Sequence, residues 1–168
     1  MTRRPAPDDV PQDEVHVYTD GSASLRRGRW GAGCGVWFGD KSNFNVSVGN
    51  QTNNRAELTT IILAVRKAMA WPKEFRLLIV HSDNQLCIDG INKWLPLWEV
   101  DGWTRRGNRL ENTDMWWVMK RALSTLTKVE IEAEFRHVWT HIGVYGNERT
   151  DRLAKAVTKR THLTTEEQ

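Results

Sequence analysis

The spacing of apolar residues changes along this chain, and that change limits which folds the chain can adopt. Between Val15 and Gly49 the residues alternate in size or polarity, which is typical of β-strands. Three strands are predicted there, with the sequences VHVYTD, GAGCGVWF and FNVSVG. Because the connections between them are short, the three strands should form an antiparallel meander. The Asp-Gly pair at the end of the first segment predicts a turn.

From Asn53 onwards, predicted helices alternate with single strands. Apolar residues recur at helical spacing from Asn53 until Pro72 stops the pattern, and FRLLIVHSD then predicts a buried strand. A helix ending near Pro96, the helix TDMWWVMKRALSTL, the strand VEIEAEFRHV and the helix GNERTDRLAKAVTKR follow. The order βββαβααβα predicts an α/β protein in which helices flank a mixed sheet. Residues 97–112, rich in tryptophan and arginine, show no clean period.

Length and composition predict one soluble domain. Of 168 residues, 39% are hydrophobic and 27% charged, which excludes a wholly disordered chain. We expect a flexible leader at 1–14, the domain at 15–160 and a loose tail at 161–168. No apolar run approaches the length of about 18 residues that spans a membrane, and no secretory signal is evident. Cys34 and Cys87 lie in apolar segments without metal-ligand spacing, so we expect an intracellular protein with reduced cysteines.

Four acidic residues stand at the ends of predicted elements: Asp20, Glu57, Asp83 and Asp151. Each has a simple structural interpretation. Asp20 could open a turn, Glu57 could complete a capping box with Asn54, and Asp83 could cap a helix. Asp151 could pair with Lys155, one helical turn further on.

Taken together, these acidic residues favour a metal site. Asp20 and Asp83 both follow predicted buried strands, and open α/β sheets build their sites at the carboxyl ends of strands. Carboxylates packed together repel each other unless a cation neutralises them. Oxygen ligands suit Mg²⁺ or Mn²⁺, and no Cys/His set suitable for zinc is present in the sequence. The net charge of +3 permits a nucleic acid partner without requiring one.

Four segments carry a resemblance to a known family. They are YTDGS at residues 18–22, TNNRAEL at 52–58, HSD at 81–83 and HIGVYGNERTDRLA at 141–154. Their order and spacing resemble those of type 1 ribonuclease H, and the resemblance extends from Val15 to about Arg160. It implies the ribonuclease H-like fold, with a five-stranded mixed sheet of three antiparallel and two parallel strands.

The resemblance also implies an activity and a catalytic set. The family's enzymes cut the RNA strand of RNA–DNA hybrids and leave 5′-phosphate and 3′-hydroxyl ends. Asp20, Glu57, Asp83 and Asp151 match the ligands of two Mg²⁺ ions, for which Mn²⁺ can substitute, and His141 matches a mobile catalytic histidine. We expect a monomer that binds the hybrid and does not bind membranes.

Substrate-binding positions follow from the same resemblance. Asn53 and Asn54 match residues that face the minor groove, where the 2′-hydroxyl distinguishes RNA from DNA. Thr52 and Asn112 match a phosphate pocket, whose usual arginine is replaced here by Asn50. The remaining expected contacts with the DNA strand come from the tryptophan- and arginine-rich stretch: Trp94, Trp98, Trp103, Arg105 and Arg106.

Besides Asn50, one further segment departs from the family's pattern. The loop after Ser22 lacks the family's Gly-Asn-Pro segment, for which Arg26, Arg27 or Arg29 could compensate by charge. The nine tryptophans are many, and those in periodic segments are expected to pack in the core: Trp37, Trp71, Trp116, Trp117 and Trp139.

Two alternatives to the main interpretation stay open. One is a nuclease or integrase of related fold that acts on another nucleic acid. The other is a hybrid-binding module with a silent site, although the presence of all four carboxylates counts against it.

Overall fold

A computed structural model describes residues 12–39, 42–49, 51–139 and 143–163, with side chains up to residue 160. Its strands are β1 Glu14–Arg26, β2 Arg29–Trp37, β3 Asn43–Gly49, β4 Leu77–Ser82, β5 Thr104–Arg105, β6 Asn108–Arg109 and β7 Glu132–His137. Its helices are α1 Asn53–Met69, α2 Gln85–Asp89, α3 Leu95–Val100, α4 Thr113–Lys128 and α5 Tyr145–Leu163, with a π-helical turn at Gly90–Trp94 between α2 and α3.

Five strands form the main sheet in the order β3-β2-β1-β4-β7. The pairs β1–β2 and β2–β3 are antiparallel, whereas β1–β4 and β4–β7 are parallel. This confirms the predicted mixed sheet, with its antiparallel meander and its parallel extension. The separate two-stranded sheet β5–β6 lies within residues 97–112, where the sequence shows no regular hydrophobic periodicity.

Helices pack on both faces of the sheet. Cys34 donates to the carbonyl of Ala56 in α1, whereas a Cβ on its neighbour Gly35 would lie 2.3 Å from the carbonyl oxygen of Thr150 in α5. Because successive residues of a strand point to opposite faces, α1 and α5 cover opposite faces of β2. The largest fully buried side chains fill the space between sheet and helices: Leu58, Ile61, Leu78, Ile79, Met119 and Leu126.

The first strand is longer than predicted. β1 does not turn at Asp20-Gly21; it stays paired with β2 as far as Arg26↔Arg29. The chain reverses at Arg27 and Gly28, whose φ values of 48° and 75° fit a two-residue hairpin turn. The segment that lacks the family's Gly-Asn-Pro motif is therefore a tight hairpin. The predicted turn at Asp20 was wrong because tertiary contacts require the small residue Gly21 within a strand.

The outer limits of the domain are only partly described. α5 continues to Leu163, three residues past the predicted end of the domain at 160. Residues 1–11 and 164–168 lie outside the described residues, so the predicted leader and most of the predicted tail stay predictions. Among the described helices, none combines the length and the apolar character needed to cross a membrane.

Candidate metal centre

Asp20 lies inside β1, directly after the residue at which the pairing of β1 with β4 ends. The parallel pairing of β1 with β4 ends at Thr19↔Ser82, while the pairing with β2 continues. Asp83 directly follows the last residue of β4. The two carboxylates therefore stand side by side at the carboxyl edge of the parallel strands, as the sequence predicted, although only one of the strands ends there.

Glu57 reaches this edge from the first turns of α1. Its Oε2 accepts a hydrogen bond of 2.9 Å from the backbone N–H of Gly21. A Cβ on Gly21 would lie 2.4 Å from the backbone nitrogen of Glu57, so only glycine lets α1 approach β1 this closely. The carboxylate thus bonds to β1 and does not cap its own helix, which excludes the capping-box interpretation.

The carboxylate oxygens of Asp20, Glu57 and Asp83 all lie within 4.8 Å of one another. Asp151, from α5, lines the same cavity of about 360 Å³, and its charge contributes to raising the pKa of Asp20. Lys155 Nζ lies 2.8 Å from Asp151 Oδ1 and 2.9 Å from Oδ2. The predicted Asp151–Lys155 pair is therefore present, and Asp151 also belongs to the acidic group.

Without a bound metal ion, burial and neighbouring negative charges disfavour the ionised forms of Asp20, Glu57 and Asp83. Burial, with further repulsion from Asp83 and Asp151, raises the pKa of Asp20 to about 8. Burial and the charge of Asp20 raise the pKa of Glu57 well above its usual range. Burial also raises the pKa of Asp83, and a hydrogen bond from Asn147 opposes that rise. A bound cation would favour the ionised forms of these carboxylates and so lower their pKa values.

The donor set fits a hard divalent cation. Three carboxylates from separate elements converge, and all of their ligand atoms are oxygens, which is the set that Mg²⁺ and Mn²⁺ prefer. Asn147 is 5% exposed, and its Oδ1 is buried without a hydrogen-bond partner among the described residues. An unsatisfied oxygen beside the carboxylates is consistent with a site that binds a cation.

Three residues around the site were not among the predicted site residues: Asn84, Asn147 and Lys155. Asn84 lines the cavity and caps α2 by accepting a hydrogen bond of 2.9 Å from the backbone N–H of Cys87. Asn147 lies within the last of the four motifs, and neither its position nor its type predicts a role at the site. The side-chain bond from Asn147 to Asp83 joins α5 to the end of β4, which sequence spacing alone does not reveal.

Two residues named in the sequence analysis cannot be placed. His141 and Asn50 lie outside the described residues. The mobile catalytic histidine and the altered phosphate pocket therefore stay predictions.

The start of α1 carries the expected minor-groove residues. Asn53 and Asn54 are exposed, and Asn53 also lines the acidic cavity. Asn53 Oδ1 accepts a bond of 3.3 Å from the backbone N–H of Ala23 in β1. Thr52 is exposed at the N-cap position, where its side chain makes no capping bond.

A second cavity, of about 330 Å³, lies between α1 and the β5–β6 hairpin. Asn54 and Asn112 line it together with Trp94, Trp98 and Arg105. The Asn112 side-chain oxygen accepts a bond of 3.3 Å from Arg55, which also forms a salt bridge with Asp114.

The β5–β6 hairpin carries the predicted basic residues. Arg105 and Arg106 are exposed, and the guanidinium carbon of Arg105 lies 5.7 Å from the centre of the Trp94 ring. Trp103 is half-buried and stacks on Trp117 at 4.9 Å. Arg105 of this hairpin therefore lies against the aromatic face of Trp94, and Trp103 directly precedes β5.

The expected exposure of several tryptophans was wrong. Trp98 was expected on the surface, yet it is 8% exposed and packs against Trp94 and Trp116 with ring centroids 5.7 and 5.0 Å away. Conversely, Trp117 and Trp139 were expected in the core and are 48% and 69% exposed. Trp98 packs inward because the ring of Trp116 on α4 covers the same face of its helix.

Comparison with known proteins agrees with this geometry. The family model described as RNase H matches residues 12–159. The chain belongs to the ribonuclease H family. It is 34% identical over 152 residues to ribonuclease H of Anaplasma marginale, an alignment that covers 89% of this chain and 93% of that protein.

Two further relatives show the extent of the match. Human ribonuclease H1 is 33% identical over 154 residues, covering 89% of this chain and 51% of the human protein. The structure of LC9-RNase H1, described as a type 1 RNase H with the type 2 active-site motif, superposes with a TM-score of 0.72. It is 28% identical, and the match covers 91% of this chain and 75% of LC9-RNase H1. The chain thus spans about half the length of the human relative and nearly all of the bacterial one.

Proposed function

We propose that this chain is an endoribonuclease that hydrolyses the RNA strand of RNA–DNA hybrids with the help of divalent metal ions. The observation that supports this most is the convergence of carboxylates from β1, α1, β4 and α5 on one cavity, in a chain of the ribonuclease H family. No single element could assemble this group, and packed carboxylates without a cation carry a large electrostatic cost.

Asp20, Glu57, Asp83 and Asp151 would hold the metal ions. Two bound Mg²⁺ ions would activate a water molecule and stabilise the leaving 3′ oxygen, so that cleavage leaves 5′-phosphate and 3′-hydroxyl ends. Asn147 orients Asp83 through its side-chain bond. His141, on the resemblance, would assist proton transfer or product release.

Substrate recognition would come from the surfaces on either side of the cavity. Asn53 and Asn54 are exposed at the start of α1 and can reach 2′-hydroxyl groups, which both donate and accept hydrogen bonds. The DNA strand would lie along the second cavity. Residues proposed to contact it are Thr52, Asn112, Trp94, Trp103, Arg105 and Arg106, with Trp98 supporting Trp94 from beneath.

A cleavage assay tests the proposal directly. Wild-type protein with Mg²⁺ should cut the RNA of a labelled hybrid and leave duplex DNA and duplex RNA intact, and EDTA should stop the reaction. Asp83→Asn should abolish hydrolysis, because a metal ligand is removed, while hybrid binding in a gel-shift assay largely survives.

The matched control is Asp13→Asn. Asp13 is exposed and precedes β1, at the opposite edge of the sheet, so the same change of charge should leave kcat unaltered. Cleavage of duplex DNA would favour a related nuclease instead. Binding of hybrid without cleavage by the wild type would favour a silent module.

A further inference from the structure

Trp139 is the most exposed of the nine tryptophans, at 69%. Single exposed apolar residues are common on protein surfaces and need no explanation by themselves. The contacts of Trp139, however, tie it to the acidic cluster.

The indole ring is held in place by the end of β7. Its edge-to-face contact with His137 has a centroid separation of 4.9 Å, and His137 Nε2 lies 3.2 Å from the backbone oxygen of Asp83. The backbone N–H of Val138 donates to the carbonyl of Ser82 at 2.9 Å, so the chain stays alongside β4 past the end of the strand. Asp83 is therefore linked to Trp139 through one intervening side chain.

The register places Trp139 beside the metal-binding edge. The last register pair is Ser82 with His137, and Val138 still bonds to Ser82, so Trp139 emerges from the sheet on the β7 side of the Asp83–Asn84 segment. Neighbouring strands lie about 4.8 Å apart, and Asn84 lines the acidic cavity. Trp139 therefore lies on the β7 side of the Asp83–Asn84 segment without lining the cavity itself, whereas Asn53 lines the cavity from α1.

The chemistry of this flank suits the face of a nucleotide. The cavity itself is acidic and repels phosphates until metal ions bind, whereas an aromatic face attracts bases without regard to charge. Every base presents a π-face, so stacking on tryptophan tolerates any sequence. A strand whose phosphodiester lies at Asp83 brings its adjacent nucleotide to this flank.

We propose that Trp139 stacks on a nucleotide adjacent to the scissile phosphodiester and so positions the cleaved strand over the acidic cluster. This proposal rests on the proposed function, since it takes the bound strand to be the one that is cut. Trp139 acts as a positioning residue in this scheme, because it holds the strand and takes no part in proton transfer.

Steady-state kinetics on an RNA–DNA hybrid tests the proposal with Trp139→Ala and Trp139→Phe. Trp139→Ala should raise KM about tenfold, within the range observed when one stacking aromatic is removed, with kcat changed less than KM. Trp139→Phe keeps an aromatic face and should recover most of the lost affinity. The thermal melt should stay close to the wild type, because the side chain is 69% exposed.

Trp71→Phe serves as the matched control. Trp71 follows α1 and packs on Phe38 at 4.7 Å, before β4 begins and therefore at the opposite edge of the sheet. Its KM should equal that of the wild type. Tryptophan fluorescence with Mg²⁺ in an Asp83→Asn background, which is expected to bind hybrid without cleaving it, adds a readout that needs no activity. Hybrid should quench the Asp83→Asn protein with or without Trp71→Phe, and should quench it less when Trp139→Phe is added.

The outcomes separate this inference from the proposed function. If the wild type cleaves hybrid and a folded Trp139→Ala keeps the wild-type KM, the stacking role is overturned while the function stands. If the wild type does not cleave but the Trp139-dependent quench is seen, the function fails and the contact with nucleic acid is supported. A raised KM that Trp139→Phe does not recover would also overturn stacking.

Discussion

At the scale of single residues, the tryptophans show how little spacing says about exposure. Trp94 and Trp98 are four positions apart, so the sequence places them on one helix face. Which face is buried depends on α4: Trp116 packs on Trp98, and a Cβ on Gly90 would lie 2.3 Å from the Trp116 ring. Gly90 thus makes room for a ring that encloses Trp98.

This burial changes what a truncation of Trp98 should do. Trp98→Ala should lower the free energy of unfolding by about 3–5 kcal/mol, because it empties a packed aromatic site. Urea denaturation measures the loss. Trp94→Ala, at a half-buried position, should cost less and serves as the comparison. A loss below about 0.5 kcal/mol for Trp98→Ala, the range of surface substitutions, would contradict the buried position.

At the scale of elements, glycines in β1 and β2 decide how closely the helices approach the sheet. Because Gly21 has no side chain, α1 can pack close to β1 and bring Glu57 to the site. Gly33 and Gly35 allow α5, which carries Asp151, to pack equally close to β2. A Cβ on Gly33 would lie 2.6 Å from the carbonyl oxygen of Ala154. Close helix packing therefore brings the carboxylates into one cavity.

Gly35→Ala should lower the free energy of unfolding and should also weaken metal binding. The added Cβ would meet the backbone oxygen of Thr150 at 2.3 Å, and backbone cannot move aside as a side chain can. We expect a loss of about 1–3 kcal/mol or more, measured by urea denaturation. A higher Mg²⁺ concentration for half-maximal hybrid cleavage should accompany it, since Asp151 would shift with α5.

Gly28→Ala is the control for this change. Its Cβ would meet no atom within 4 Å, but its φ of +75° would cost about 1–2 kcal/mol. That variant should lose stability without a change in Mg²⁺ dependence. If Gly35→Ala and Gly28→Ala raise the Mg²⁺ concentration for half-maximal cleavage equally, a displacement of α5 does not explain the effect of Gly35→Ala.

At the scale of the whole molecule, the charge of the acidic group links stability to pH and to metal ions. The pKa of Asp20 is raised from 3.8 to about 8, so the metal-free folded state keeps a proton that the unfolded chain releases. Stability from this group is present below about pH 4 and is lost as the pH rises towards 8. His81 acts in the opposite sense: burial, with His16 and Arg136 nearby, lowers its pKa from 6.5 to about 4.

Asp20→Asn should therefore stabilise the metal-free protein near pH 8. In EDTA, its melting temperature should exceed that of the wild type by about 3 °C or more, the shift expected from about 1 kcal/mol in a domain of this size. The difference should shrink as the pH falls towards 4. Because both proteins contain His81, its contribution cancels in the comparison. A lower melting temperature for Asp20→Asn throughout this range would show that Asp20 stabilises β1 instead.

Added Mg²⁺ should reverse the order of the two proteins. A ligand that binds only the folded state raises its stability, and the wild type retains the full set of carboxylates. Thermal melts at pH 8 with and without Mg²⁺ measure this. An equal rise in both proteins would indicate that Asp20 is not a ligand.

The sequence by itself determined the order of elements, the mixed sheet and the identity of the acidic group. These depend on local periodicity and on motifs at fixed spacing, which the chain carries irrespective of its surroundings. Asp20 and Asp83 could be assigned to one site because the ends of buried strands are readable locally. Glu57 and Asp151 were assigned to it through the motifs that resemble those of ribonuclease H.

Only the tertiary structure decided what depends on contacts between distant segments. Asp20-Gly21 resembles a turn locally, but pairing with β2 and the approach of α1 hold it within a strand. The burial of Trp98 and the exposure of Trp139 likewise depend on which elements pack over them. Asn147 acquired its partner Asp83 only when α5 docked beside the end of β4. Packing between segments far apart in the chain leaves no periodic signal in either of them.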